Sequence, residues 1–147
     1  MLKVVLDTNI FVSSLLSKAG RPAMVIDSWR AGSYLLVTSH SIISEIRRVV
    51  EAPGIRKKYG LGQDQIEKLI LLLENDALVV PGLSTVAGAI PKDPTDEIFL
   101  AAALDAKADL IVSGDRHLLD LGEYKQIPIL TVRQFLEFLE IIAKLDL

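Results

Sequence analysis

The chain has 147 residues, half of them hydrophobic, with no cysteine and a net charge of −3 from 16 basic and 19 acidic residues. That length can bury a core without covalent staples, so we expect one domain over residues 1–147. The lack of cysteine excludes disulfides, thiolate catalysis and cysteine-ligated zinc, and no apolar run approaches the ~20 residues of a membrane span.

The start, Met1-Leu2-Lys3-Val4, runs directly into a strand-like segment and lacks the pattern of a signal peptide. The expectation is a cytoplasmic protein. Residues 2–6 form the first predicted strand, apolar on both faces as a central parallel strand is. Asp7 follows it, with Thr8 and Asn9 beside it. A carboxylate there stands just outside a sheet edge, and its neighbours supply a hydroxyl and an amide to hold it or a water on a metal. The alternative is a helix N-cap, since Asp, Thr and Asn all cap well. A helix is predicted over residues 23–30, after Gly20-Arg21-Pro22, and a strand over 34–37. Ser39 is a candidate cap for a helix over residues 42–50, which stops before Pro53-Gly54. Glu45 rides that helix between apolar neighbours, either on a solvated face or turned into a site.

Residues 51–62 contain Pro53, three glycines and the run Arg56-Lys57-Lys58, and read as a loop. A helix over residues 65–74 places Ile66, Leu69, Ile70 and Leu73 on one face, with Asp64 as a candidate cap. A strand over 77–80 leads into a second loop, 81–94, where Asp93 reads as a second acid behind the site or, in preference, as a turn residue before Pro94. Asp96 opens a helix over residues 96–106 that is rich in alanine. It is a cap or a site acid, near a helix N-terminus that stabilises negative charge. A strand over 109–113 ends at Ser113-Gly114-Asp115, where Gly114 permits a tight turn and Ser113 can bind a water or phosphate. Asp115 is again a cap or a site acid. A strand over 127–131 and a helix over 132–143 complete the set, and residues 145–147 are expected to fray. His40, His117 and the isolated aromatics Trp29, Tyr34, Tyr59 and Tyr124 carry little functional weight.

Strands alternating with helices indicate α/β layering around a mostly parallel sheet. In such folds sites gather at the carboxyl ends of the strands. Asp7, Glu45, Asp96 and Asp115 all stand at or just after predicted strand ends or on the helices that follow. Carboxylates gathered there repel one another unless something positive lies between them, and a divalent metal is the economical answer. Setting these four acids aside moves the net charge from −3 to +1, so charge neither supports nor excludes a polyanionic substrate.

Leu6-Asp7-Thr8-Asn9, Glu45 in Ser44-Glu45-Ile46-Arg47, Asp93-Pro94-Thr95-Asp96 before Leu100-Ala101-Ala102-Ala103, and Ile111-Val112-Ser113-Gly114-Asp115 together resemble the PIN-domain nucleases. The likeness is nearest to the branch described as toxin components of prokaryotic toxin–antitoxin systems, and runs from Val4 to about Phe138. It implies a PIN-like, Rossmannoid parallel sheet of order 3-2-1-4-5 sandwiched by helices. It implies a Mg²⁺- or Mn²⁺-dependent endoribonuclease acting on single-stranded RNA. Asp7, Glu45, Asp96 and Asp115 would be the catalytic, metal-binding set, with Thr8, Asn9 and Ser113 as supporting polar groups. Arg21, Arg47, Arg48, Arg56, Lys57, Lys58 and Arg116 are candidate phosphate contacts, foremost Arg56, Lys57, Lys58 and Arg116, although any single one reads more readily as a solvated charge. A homodimer and a small antitoxin protein are the partners the resemblance suggests. The competing readings are a non-catalytic metal- or peptide-binding module of the same fold, and an aspartyl phosphotransfer domain with Asp7 as nucleophile.

Overall fold

Runs of valine, isoleucine and leucine form strands where the pattern predicts them. The computed structural model describes residues 1–86, 88–90 and 96–145. The five predicted strands are β1 (Lys3–Leu6), β2 (Leu35–Ser39), β3 (Leu78–Val80), β4 (Leu110–Val112) and β6 (Ile127–Leu130). A further two-residue strand, β5 (Glu123–Tyr124), pairs antiparallel with β6. Its hairpin turns at Lys125 and Gln126, with φ of 46° and 71°. Glycine or asparagine is the usual signal for that geometry, and neither stands here.

The sheet order is β3-β2-β1-β4-β6-β5. All pairings except the last are parallel. This is the expected 3-2-1-4-5 order with one edge strand added. Val4 and Val5, consecutive on β1, are both fully buried. Consecutive strand residues point to opposite faces, so helices cover both faces of the central strand.

The helices are α1 (Thr8–Leu16), α2 (Arg21–Arg30), α3 (His40–Val50), α4 (Pro53–Tyr59), α5 (Gln63–Asp76), α6 (Glu97–Ala106), α7 (Arg116–Leu121) and α8 (Val132–Leu145). In α3, the Ser39 hydroxyl accepts the Ile42 amide at 3.2 Å, as a cap should. Ile42, Ile43, Ile46 and Val50 are its buried stripe. The predicted face of α5 is buried too, but its cap is Gly62, whose amide donates to Gln65 Oε1 at 2.9 Å, and Asp64 lies inside the helix. The buried alanines of α6 bring that helix close across β1 to β4. Tyr34 donates from its hydroxyl to the Val25 carbonyl at 2.7 Å and meets the Phe135 ring edge-on at 5.1 Å. Trp29 is also buried, so both serve packing.

The segment 51–62, expected as a loop, carries the helix α4. Pro53 sits at its start, where the missing N–H is no loss, and Gly60 ends it at φ +63°. Helices α1 and α7 were not predicted as elements; each begins directly after a candidate site aspartate. Of the expected loop over 81–94, residues 87 and 91–94, including Asp93 and Pro94, lie outside the described residues, as does Thr95 after it. So do Asp146 and Leu147, while Leu145 still belongs to α8. Among the described residues no helix is long and apolar enough to cross a membrane.

Candidate active site

The register of the central strands decides which loops meet. Leu6 of β1 pairs beside Val112 of β4. The next residues, Asp7 and Ser113, are therefore neighbours, although 106 positions separate them in sequence. Asp7 caps α1, its Oδ1 accepting the Ile10 amide at 3.1 Å. Its Oδ2 accepts from the Ser113 hydroxyl and from the Gly114 amide at 3.0 Å. The Asp7 residue is only 2% exposed. Burial pushes its pKa up; the bonds from Ser113, Gly114 and Ile10 oppose this, and the charge of Asp115 adds a smaller upward push. Desolvation, rather than crowding of like charges, is thus the main strain on this carboxylate.

Asp115 caps α7, its Oδ1 accepting the His117 amide at 2.8 Å and the Leu118 amide at 3.3 Å. Ser113 Oγ accepts the Asp115 amide at 2.8 Å, so one hydroxyl links two aspartates. Ser113 is fully buried and beneath the site rather than in its lining. Its hydroxyl donates to Asp7 and accepts the Asp115 amide, so its one proton is spent within the protein. Gly114 does not adopt a positive φ, and a Cβ there would meet open space. What this turn contributes is its N–H, not its glycine.

Asp7, Thr8, Asn9, Glu45, Asp96 and Asp115 line one small cleft, about 60 Å³ in volume, walled by Val49 and Phe99. The four acids predicted from four separate segments therefore share a pocket. Capping and site roles are not alternatives here: Asp7 and Asp115 cap helices with the same carboxylates that line the cleft, and Asp96 stands at the N-cap position of α6. Glu45 faces the cleft with Val49, four residues on along the same helical face. The apolar walls escaped the sequence reading, though the spacings of Glu45 to Val49 and Asp96 to Phe99 would have suggested them. The basic candidates Arg56, Lys57, Lys58 and Arg116 do not line this cleft. Arg56 to Lys58 form the last turn of α4, where cations favour the helix dipole, not the loop that was expected.

The donors in the cleft are all hard oxygens and suit Mg²⁺ or Mn²⁺. The Thr8 hydroxyl is buried there with no hydrogen-bond partner among the described residues. Among the described residues no three His, Asp or Glu side chains lie close enough together to hold one ion directly. Mg²⁺ normally takes one or two carboxylates and keeps several waters, so the donor set fits an ion held partly through water.

Comparison with known proteins gives the family. The family model described as PIN domain matches residues 3–117. An uncharacterized protein of Methanocaldococcus jannaschii, MJ1680, is 29% identical over 122 residues, covering 83% of this chain and 76% of that protein. The match takes in three whole segments of the cleft, around Asp7, Glu45 and Asp96, and reaches past Asp115. This chain belongs to the PIN domain family, whose members are typically nucleases that bind divalent metal.

Proposed function

We propose that the chain is an endoribonuclease that hydrolyses phosphodiester bonds of single-stranded RNA with Mg²⁺ or Mn²⁺. One observation carries this reading: Asp7, Glu45, Asp96 and Asp115 line a common cleft at the carboxyl edge of the sheet. When bound, the ion supplies an acidified water and positive charge for the transition state. The chain's own groups do the rest. Asp7, Asp96 and Asp115 hold the ion directly or through water. Asp7 is preset for this by its bonds from Ser113, Gly114 and Ile10. Glu45, on α3, completes the cage or orients the attacking water. The walls of Val49 and Phe99 limit water around the acids and strengthen every charge interaction within.

The resemblance of the acidic blocks supports a narrower role, a toxin whose RNA cleavage is restrained by a small antitoxin protein. A homodimer is part of the same reading. The partly buried Leu15, Ile26 and Leu72 line an open apolar groove with Leu69, and Leu71 on α5 is 54% exposed, which leaves apolar surface for a second copy. The phosphotransfer alternative loses ground, because an Asp7 that is buried and bonded through both oxygens is poorly placed as a nucleophile.

The test is cleavage of a mixed pool of single-stranded RNA, with sequencing of the new ends, for the wild type and Asp96→Asn. Discrete cuts that need Mg²⁺ or Mn²⁺ and vanish in Asp96→Asn are expected. Metal-independent cutting, or equal cutting by a folded Asp96→Asn protein, would overturn the assignment. Growth arrest on expression, absent for Asp96→Asn, tests the toxin role, and light scattering of the purified protein tests the dimer.

A further inference from the structure

One acid of the cleft already has a cation, and the chain supplies it. Arg48 Nη2 donates to Glu45 Oε1 at 3.1 Å, three residues on along α3. The Glu45 side chain is 22% exposed and lines the cleft; that of Arg48 is 72% exposed and lines the neighbouring groove. The pair thus spans the rim between acidic cleft and open surface. Arg47, next to it, is committed elsewhere, donating to Glu67 at 2.6 Å with Glu51 at 3.6 Å. Arg48 has no such second anchor among the described ion pairs.

A guanidinium and a divalent ion compete for the same carboxylate oxygens. A phosphate and a carboxylate compete for the same guanidinium, whose planar fork fits either. We infer that Arg48 is a positioning residue that couples the two ligands: it holds Glu45 away from metal until a substrate phosphate takes the guanidinium. This rests on the proposed metal-dependent nuclease reading and adds a regulatory step to it. Divalent ion and nucleic acid then bind cooperatively, each raising the affinity for the other by the same factor. Arg48 is largely exposed and solvent screens the pair, so the effect is modest, about two- to five-fold in affinity.

The test is calorimetric titration of MnCl₂ into the intact protein, with and without a hydrolysis-resistant phosphorothioate 2′-O-methyl oligoribonucleotide. The wild type should bind Mn²⁺ about two- to five-fold more tightly when the oligonucleotide is present. Arg48→Ala should bind Mn²⁺ alone that much more tightly and lose most of the coupling, and Arg48→Lys should restore part of it. In a Glu45→Gln background, Arg48→Ala should leave Mn²⁺ affinity unchanged. Equal Mn²⁺ affinity in wild type and Arg48→Ala overturns the coupling and leaves the nuclease reading standing. The same gain in the Glu45→Gln background also overturns it, because the effect would then be general charge removal. No Mn²⁺ binding by any form overturns the metal reading itself, and the coupling with it.

Discussion

Replacing Ser113 with alanine tests whether the cleft is held together as described. The hydroxyl donates to the Asp7 carboxylate and accepts the Asp115 amide. A hydrogen bond to a charged group contributes about 1.5–3 kcal/mol, and a buried donor left without an acceptor costs about 1–3 kcal/mol. The two losses share one atom and the void left by an oxygen is small, so the expected destabilisation is about 2–4 kcal/mol at pH 7.5. It should also depend on pH. The Ser113 bond holds the Asp7 pKa down against burial, so its removal lets that pKa rise further. A folded state whose carboxylate pKa lies above the unfolded value binds more protons than the unfolded chain. Its stability therefore falls as pH rises through that window, which begins at about 3.9. The deficit of Ser113→Ala should accordingly be larger at pH 7.5 than at pH 4. Urea unfolding of both proteins at the two pH values measures it. A deficit under about 0.5 kcal/mol, or one equal at both pH values, would refute the idea that this hydroxyl stabilises the buried charge.

Other perturbations read other parts of the molecule. Asp7→Asn should abolish cleavage and keep the α1 cap, since Asn caps as well as Asp. Because the Asp7 pKa is raised, its stability relative to wild type should improve from pH 4 to pH 7.5; a relative loss over that range would contradict the direction of the shift. Asp105 accepts the amides of Gly82, Leu83 and Ser84 at 2.6–2.9 Å and the Ser84 hydroxyl, and these bonds hold its pKa down. Its contribution is therefore present at neutral pH and lost as pH falls below the usual Asp range, and Asp105→Asn should speed amide exchange at residues 82–84 at pH 7 more than at pH 3, after correction for intrinsic rates. Phe135 is the one fully buried residue of α8. Phe135→Ala should cost about 3–5 kcal/mol and expose α8 to limited proteolysis. Neutralising Arg56, Lys57 and Lys58 together should weaken RNA binding and flatten its salt dependence; an unchanged slope removes α4 from the nucleic-acid surface.

The strands were legible because their cores are short apolar runs, such as Val4-Val5-Leu6 or Leu110-Ile111-Val112. The larger helices were legible from their apolar spacing, as in α5 with Ile66, Leu69, Ile70 and Leu73. The order of the strands came from the resemblance, since a run of valines does not say which strand lies beside it. Helix α4 was missed because Pro53 and Gly60 read as loop formers, yet in that order they also open and close a helix. Local pattern could not choose between cap and site for Asp7 and Asp115, and the choice proved false, because one carboxylate does both.

By itself, then, the sequence determined the α/β class, the main elements and the four acids worth watching, because these depend on residue type and short-range spacing. Only the tertiary structure decided that those acids share a cleft, that Ser113 lies beneath it, and that Glu45 on α3 turns into it. Those facts follow from parallel register and helix rotation, which bring together groups that no local pattern connects.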